Sequence, residues 1–304
     1  MRSRLLLLCP GQGGQHGGMF DLARTHRRAR IFLDLLDQCN LPADPALLFA
    51  NRVAQPAIVA ATLAMWEAIR DFSPAPALVA GYSIGELAAC SVAGALAPAD
   101  AVRLAGTRAS LMDACLKTSP GQALAAISGL NLPGIDQLIG DDLFCVAIET
   151  GEDSCVVGGP AGALPSVQAK VLAGGGRLTR LQVEIASHTP YMAPAVAPFA
   201  TALHASAIHP LTTPVLSGIS ATTVDGKSML IENLSRQLAE KILWMDCMDT
   251  CAEAAVTVAL ELGPGAALSR MLQARHPGID CRSVADFRSL DGIEKWLGRH
   301  FESS

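Results

Sequence analysis

The sequence has little charge. Only 17% of its 304 residues are charged and 50% are hydrophobic, whereas about a quarter is charged in a typical soluble domain. A chain of this kind can bury a large core, which excludes a disordered or tail-like protein. An excess of positive charge is also absent, since 23 Lys and Arg stand against 28 Asp and Glu. The net charge of −5 argues against a nucleic-acid partner, because phosphate binding needs a positive field.

Long apolar runs and paired cysteines are missing too. No run reaches about 18 consistently apolar residues, so a membrane-spanning helix is not expected. The apolar run Leu5–Cys9 is shorter than the roughly 7–15 residues of a secretion-signal core, and we predict that it is a buried strand. Nine cysteines without a CxxC pair suit the reduced thiols of a cytoplasmic protein better than a disulfide framework or a zinc site.

Strand-like runs alternate with helix-length segments, which is typical of a mostly parallel sheet covered by helices. Between residues 120 and 186 the predicted order changes to βαββαβ, the pattern of a ferredoxin-like unit. The fold class is therefore α/β: a large α/β-hydrolase-like domain (1–119 and 187–304) with a parallel sheet, and an inserted small ferredoxin-like domain (120–186). Strands are predicted at 5–9, 77–82, 122–128, 143–148, 154–158, 178–185 and 255–261, and helices at 55–70, 86–96, 99–115, 133–139 and 164–173.

The segment Gly81-Tyr-Ser83-Ile-Gly85 fits the pattern G-x-S-x-G, and it lies between a predicted strand and a predicted helix. At such a turn the serine hydroxyl stands above the sheet edge, and amides of the helix N-terminus can hold an oxyanion. Ser83 is thus a candidate nucleophile, and the alternative is a capping serine in a glycine turn. A nucleophilic serine needs a base. His188 is the best candidate for this base because it begins a charge-free stretch, although a lone His in an apolar sequence is often a structural residue. His16, in a glycine-rich loop, is the other candidate.

Three further features could contribute to a site. The loop Pro10–Gln15 follows the first strand and could supply an oxyanion donor or be an ordinary flexible turn. Arg108 lies on the apolar face of its predicted helix, so its guanidinium must find an anion, either an internal carboxylate or the carboxylate of a substrate. Glu86, in the first turn after Ser83, is as well explained by the helix dipole as by catalysis.

Taken together, these segments resemble the malonyl-CoA:acyl carrier protein transacylase family over nearly the whole chain. The matching segments are Pro10-Gly-Gln-Gly-Gly-Gln15, Gln55-Pro56, Gly81-Tyr-Ser-Ile-Gly-Glu86, Ala101-Val-Arg-Leu…Arg108, Ser187-His188 and Glu261-Leu-Gly-Pro-Gly265.

The resemblance implies a role for each matching residue. Ser83 would accept the acyl group and His188 would be its base, oriented by a main-chain carbonyl. The backbone N–H groups of Gln12 and Ile84 would form the oxyanion hole, and Arg108 would hold the malonyl carboxylate. Gln55 and Leu243 are possible supporting residues.

The resemblance also implies the reaction partners. The substrate would be malonyl-CoA and the acceptor the phosphopantetheine-type thiol of an acyl carrier protein. No metal and no tightly bound cofactor is expected. Carrier proteins are typically acidic, so Arg177 and Arg180 are candidates for the docking face.

Three departures from the family pattern qualify this reading. Tyr82 stands where fatty-acid-synthesis members usually have His, which favours the epsilon subunit of malonate decarboxylase and hence its carrier subunit and other subunits as partners. The family's Asn-Ser-Pro-x-Gln segment is replaced by Glu149–Asp153, and a polar residue before the late Trp by Leu243. If only the Leu243 carbonyl contacts His188, the chemistry survives.

Alternative functions remain. One is the malonyl transacylase of fatty acid synthesis. Another is a serine hydrolase or thioesterase with the same turn, including a patatin-like pair of Ser83 and Asp225 that would not need His188. A third is an inactive acyl-binding or scaffold subunit.

Overall fold

The computed structural model describes residues 3–34, 41–42 and 44–301, and its strands form two sheets. The strands are β1 (Leu5–Cys9), β2 (Leu78–Gly81), β3 (Gln122–Ser128), β4 (Cys145–Gly151), β5 (Ser154–Pro160), β6 (Arg177–Arg180), β7 (Val215–Leu216), β8 (Ile242–Leu243), β9 (Val258–Glu261) and β10 (Asp280–Ser283). The helices are α1 (Asp21–Arg24), α2 (Arg27–Asp34), α3 (Asn51–Ile69), α4 (Gly85–Val92), α5 (Pro98–Cys115), α6 (Leu132–Ile139), α7 (Leu164–Ala173), α8 (Ala193–His204), α9 (Gly226–Arg236), α10 (Trp244–Glu253), α11 (Ala267–Arg275) and α12 (Leu290–Phe301).

Five parallel strands form the large sheet, in the order β10-β9-β1-β2-β7. β1 lies at its centre because every one of its residues is apolar and buried. Leu5 and Leu7 pack into the core that includes α3, α4 and α5, whereas Leu6 and Leu8 pack into the core that contains Trp244. A strand covered on both faces reads as a continuous apolar run, which is why Leu5–Cys9 could be predicted.

The second sheet follows the predicted order βαββαβ, formed by β3, α6, β4, β5, α7 and β6. Its first four strands are antiparallel and lie in the order β6-β3-β5-β4. Ile139 of α6 and Val171 of α7 belong to the same buried cluster as Val157 of β5, so both helices cover one face. An α/β fold with a parallel sheet and a second small sheet is therefore confirmed, while the domain boundaries at 119/120 and 186/187 stay a prediction.

The small sheet has a fifth strand that the sequence pattern does not predict. β8 pairs in parallel with β4, and places Ile242 opposite Ile148 and Leu243 opposite Glu149. This strand comes from the 187–304 stretch, so that stretch is joined to residues 120–186 by strand pairing within the small sheet as well as by the chain. A two-residue strand has no periodicity to detect.

Three predicted boundaries differ from the structure by four or more residues. β6 ends at Arg180 rather than continuing to residue 185. Beyond Leu181, the first backbone N–H that forms a hydrogen bond is that of Ala186, and it donates to the Gln122 side chain instead of to a neighbouring strand. α4 ends at Val92 rather than at residue 96, because Gly94 adopts a positive φ of 84°. α3 begins at Asn51, ahead of the predicted start at residue 55.

None of the helices in the described ranges is both long and apolar enough to cross a membrane.

Candidate active site

Ser83 lies in the tight turn that joins β2 to α4, as the G-x-S-x-G pattern predicts. Its φ is 56°, a left-handed conformation that is strained in a residue with a side chain. The flanking glycines are needed because the backbone is crowded. A Cβ at Gly81 would lie 2.3 Å from the amide nitrogen of Glu86, and a Cβ at Gly85 would lie 2.1 Å from the carbonyl oxygen of Cys9. The two glycines therefore allow the turn that exposes the Ser83 hydroxyl.

His188 is the partner of this hydroxyl. Its Nε2 lies 2.7 Å from Ser83 Oγ, and its Nδ1 lies 2.6 Å from the carbonyl oxygen of Gln237. Because a carbonyl only accepts, Nδ1 carries the proton and Nε2 is left free to accept from the serine. Burial lowers the pKa of His188 to about 3, helped by the nearby Arg108 cation and opposed by the bond to Gln237. The ring is thus neutral near pH 7 and able to take a proton.

The residue that orients His188 is Gln237 and not Leu243. The backbone N–H of Leu243 donates to the carbonyl of Gly218, at 2.8 Å, and Leu243 pairs with β4 in the small sheet. Gln237 follows α9, at a helix end where carbonyl groups have no partner within the helix. The backbone N–H of His188 also donates to this segment, to Leu238 O at 2.8 Å. The supporting role of Leu243 toward His188 was therefore predicted wrongly, and no sequence motif marks Gln237.

Arg108 also contacts the Ser83 hydroxyl, and it is only 2% exposed. Its guanidinium donates to Gln55 Oε1 at 2.9 Å, to Gln237 Oε1 at 3.3 Å and to Ser83 Oγ at 3.4 Å. Among the residues that the structure describes, no carboxylate forms an ion pair with it. Burial lowers the pKa of Arg108 to about 10, partly offset by the charge of Glu86. The site thus contains a buried cation held by neutral oxygens.

The glycine-rich loop after β1 packs directly against the Ser83 turn. A Cβ at Gly11 would lie 2.9 Å from the ring and from the carbonyl oxygen of Tyr82. In the described part of the chain, the backbone N–H groups of Gln12 and Ile84 donate no hydrogen bond. The Gln12 side chain contacts Asn51 and Gln55 instead of the hydroxyl. Both amides are therefore available as donors near Ser83.

Glu86 is buried, at 1% exposure, rather than being an ordinary acid at a helix start. Its Oε2 accepts from the backbone N–H of Gly218 at 3.1 Å and from the side-chain amide of Gln237. Burial raises its pKa to about 7, against the lowering effects of these two bonds and of Arg108. No charge pattern in the sequence indicates this contact to residue 237.

Two cavities adjoin the site. One cavity, of about 990 Å³, is lined by the Pro10–Gly14 loop, Tyr82 and residues 150–156. Residues 150–153 belong to the segment Glu149–Asp153, which departs from the family pattern, and Glu149 itself forms an ion pair with Lys241. The other, of about 1160 Å³, is lined by Asn51, Arg52, Asp113 and Arg180 among others. Neither cavity is lined by Ser83 or His188. The first cavity is lined by Gln12, and the second is lined by Asn51, which accepts a hydrogen bond from the Gln12 side chain.

The remaining candidates lie elsewhere. His16 is exposed, and so is Asp225, which precedes α9. The described side chains that bond to the Ser83 hydroxyl are His188 and Arg108, which argues against a pair with Asp225. Arg177 and Arg180 are exposed at the two ends of β6. Among the described residues no group of three or more His, Cys, Asp or Glu is placed to bind a metal ion.

Known proteins resemble this chain over nearly its whole length. A model of the acyl transferase domain family matches residues 6–283. The malonyl CoA-acyl carrier protein transacylase of Mycobacterium tuberculosis is 31% identical over 303 residues, covering 95% of this chain and 99% of that relative. The crystal structure of FabD from Acinetobacter baumannii matches with a TM-score of 0.88 and 26% identity, covering 100% of both chains. A malonyl-transacylase in complex with its type II PKS acyl-carrier protein matches with a TM-score of 0.88 and 25% identity, covering 99% of this chain and 100% of that chain. The chain therefore belongs to the malonyl-CoA:acyl carrier protein transacylase family of acyl transferases.

Proposed function

We propose that this chain transfers a malonyl group from malonyl-CoA to the prosthetic thiol of an acyl carrier protein, through a malonyl ester on Ser83. The observation that carries the proposal is the position of Ser83 Oγ, which lies 2.7 Å from His188 Nε2 and 3.4 Å from the Arg108 guanidinium. A base and a buried cation on one hydroxyl suit an acyl donor that carries its own negative charge.

The acylation step uses groups that the geometry brings together. His188 Nε2 takes the Ser83 proton while Oγ attacks the thioester carbonyl, and the backbone N–H groups of Gln12 and Ile84 hold the oxyanion. The tetrahedral adduct then breaks its C–S bond, and the protonated His188 gives its proton to the departing CoA sulfur. The second half repeats these steps in reverse, with the carrier thiol as nucleophile and Ser83 as leaving group.

Arg108 supplies the preference for malonyl over acetyl. Its cation has no carboxylate against it in the described residues, so the free carboxylate of malonyl would complete an otherwise unpaired buried charge. An acetyl group would leave that cation unpaired. The malonyl carboxylate would also offset the positive charge of Arg108, which lowers the pKa of His188. Malonyl binding would therefore make His188 a stronger base for the activation of Ser83.

The choice of carrier is the finer part of the proposal. Tyr82 favours the carrier subunit of malonate decarboxylase, but the relatives named above are malonyl-CoA:acyl carrier protein transacylases. They support the alternative, malonyl transfer in fatty acid synthesis, better than the decarboxylase branch. For either carrier, we propose that the acidic partner docks near Arg177 and Arg180, since Arg180 lines the cavity next to Asn51.

The test is the intact mass of the protein after brief incubation with malonyl-CoA or acetyl-CoA, with Ser83→Ala as the control. We expect one malonyl adduct on the native chain, little acetyl adduct, and none on the variant. Steady CoA release without an adduct would point to the hydrolase instead, and neither adduct nor release would point to the scaffold. Adding a fatty-acid-type carrier or a malonate decarboxylase carrier to the malonyl-enzyme, and finding which one removes the adduct, identifies the acceptor.

A further inference from the structure

Arg108 is held by two amide oxygens, Gln55 Oε1 and Gln237 Oε1. A glutamine amide has an oxygen on one side and an NH₂ group on the other, and a half-turn of the amide exchanges them. Only the oxygen suits a guanidinium, because both the guanidinium and the NH₂ group are donors. Some other group must therefore fix the orientation of each amide.

For Gln237 that group is Glu86. The Gln237 NH₂ donates to Glu86 Oε2, and the backbone N–H of Gly218 donates to the same oxygen at 3.1 Å. If the amide turned over, its NH₂ would face Arg108 and its oxygen would face Glu86 Oε2, an atom that already accepts from Gly218. Both contacts would then be repulsive in a buried place, so the flipped form is strongly disfavoured.

For Gln55 the orientation is fixed through a row of side chains. The Gln55 NH₂ lies 3.4 Å from Gln12 Oε1, the Gln12 NH₂ 3.2 Å from Asn51 Oδ1, and the Asn51 NH₂ 2.8 Å from Asp113 Oδ1. The other oxygen of Asp113 accepts from Arg52 at 3.1 Å. A carboxylate at one end only accepts and a guanidinium at the other end only donates, so all three amides must point the same way.

We propose that Glu86 and Asp113 are positioning residues for malonyl recognition: they orient the amides that hold Arg108, and so aim its guanidinium at the acyl group on Ser83. This inference rests on the proposed function. Both carboxylates act at a distance and leave Arg108 without a direct ion pair among the described residues. A carboxylate placed against Arg108 would instead occupy the position that the substrate needs. The same row passes through Gln12, whose backbone N–H is a proposed oxyanion donor.

Substitutions can separate this role from one in folding alone. Glu86→Gln keeps an oxygen where both present contacts converge, whereas Glu86→Leu removes the acceptor. Asp113 is partly exposed, so Asp113→Ala and Asp113→Asn form a second pair at a site where folding is less at risk. Glu67→Leu is a matched control, because Glu67 is a buried carboxylate of α3 that pairs with Arg70. It belongs neither to the contact between Glu86 and Gln237 nor to the row from Gln55 to Asp113.

The first measurement is the ratio of kcat/KM for malonyl-CoA to that for acetyl-CoA. We expect Glu86→Leu to lower the ratio about 10- to 100-fold and Asp113→Ala about 3- to 10-fold, through malonyl alone. Glu86→Gln should keep the ratio within about 3-fold of native, and Glu67→Leu should leave it unchanged. Asp113→Asn should lower the ratio less than Asp113→Ala does, because it keeps one oxygen for the two donors, Asn51 and Arg52. An unchanged ratio in folded Glu86→Leu and Asp113→Ala variants would overturn the inference.

A second measurement, calorimetric binding of free malonate, does not depend on acyl transfer. We expect malonate to bind the native chain and Glu86→Gln alike, and Glu86→Leu at least about 10-fold more weakly. If the native chain forms no malonyl adduct but malonate binding follows this order, the proposed function fails and the positioning role stands. If the native chain forms the adduct and all variants bind malonate equally, only the positioning role fails.

Discussion

The two side chains that contact the Ser83 hydroxyl, His188 and Arg108, are held in different ways. On one side, His188 is oriented by the backbone carbonyl of Gln237. On the other, Arg108 is held by the side-chain oxygens of Gln55 and of the same Gln237. A backbone carbonyl is present whatever residue stands there, whereas a side-chain oxygen is lost with its residue. The base should therefore tolerate changes at position 237, and the cation should not.

The largest expected effect follows from breaking the base side. His188→Ala removes the proton acceptor of Ser83, and a positioned general base is worth about 10²–10⁴-fold in rate. We expect the rate of malonyl-adduct formation, followed by stopped-flow CoA release, to fall within that range. His204→Ala, at the exposed end of α8, is the control and should retain the native rate. Near-native acylation in folded His188→Ala would remove the base assignment.

Breaking the cation side should have a selective effect. In Arg108→Ala the malonyl carboxylate loses its partner, so we expect kcat/KM for malonyl-CoA to fall about 100-fold. Acetyl transfer should be retained or rise, because no unpaired buried cation remains. Arg103→Ala on the same helix is the control, since Arg103 points outward to Asp100. An unchanged malonyl preference in Arg108→Ala would contradict the clamp.

Gln237→Leu sharpens the comparison, because this residue serves both sides. The substitution removes the oxygen 3.3 Å from Arg108 but keeps the carbonyl 2.6 Å from His188. We expect malonyl kcat/KM to fall about 10-fold and acetyl kcat/KM to stay within about 3-fold. Gln55→Leu, which removes the other oxygen together with the contact to Gln12, should give the same pattern. Equal losses with both substrates in Gln237→Leu would mean that the side chain also positions the base.

The extent to which the sequence predicts this molecule also differs between the two sides. Ser83, the parallel sheet and the βαββαβ order follow from local patterns, since a glycine turn and buried strands leave clear marks in the sequence. Arg108 could be singled out because its helix face is apolar. Gln237 could not, because its contribution to the base is a carbonyl that every residue has and its approach to Ser83 depends on tertiary packing. Glu86 was ambiguous for a related reason: a helix start explains an acid there, and the contact to residue 237 is distant in sequence.

The smallest expected effect concerns pH, and it tests whether the two sides are coupled. Burial and the Arg108 cation lower the pKa of His188 from its ordinary value to about 3. Because the ring is the base only when neutral, acylation of the native chain should be independent of His188 ionisation above about pH 5 and should fall only toward pH 3. In Arg108→Ala the burial effect remains but the effect of the cation is removed, so the apparent pKa should rise and the acid limb should move to higher pH. The measurement is kcat/KM for acetyl-CoA from about pH 2.5 to pH 8, a range that includes the native acid limb, and acetyl transfer is used because it does not need the cation. An acid limb at the same pH in the native chain and in Arg108→Ala would show that the cation recognises the substrate without affecting the base.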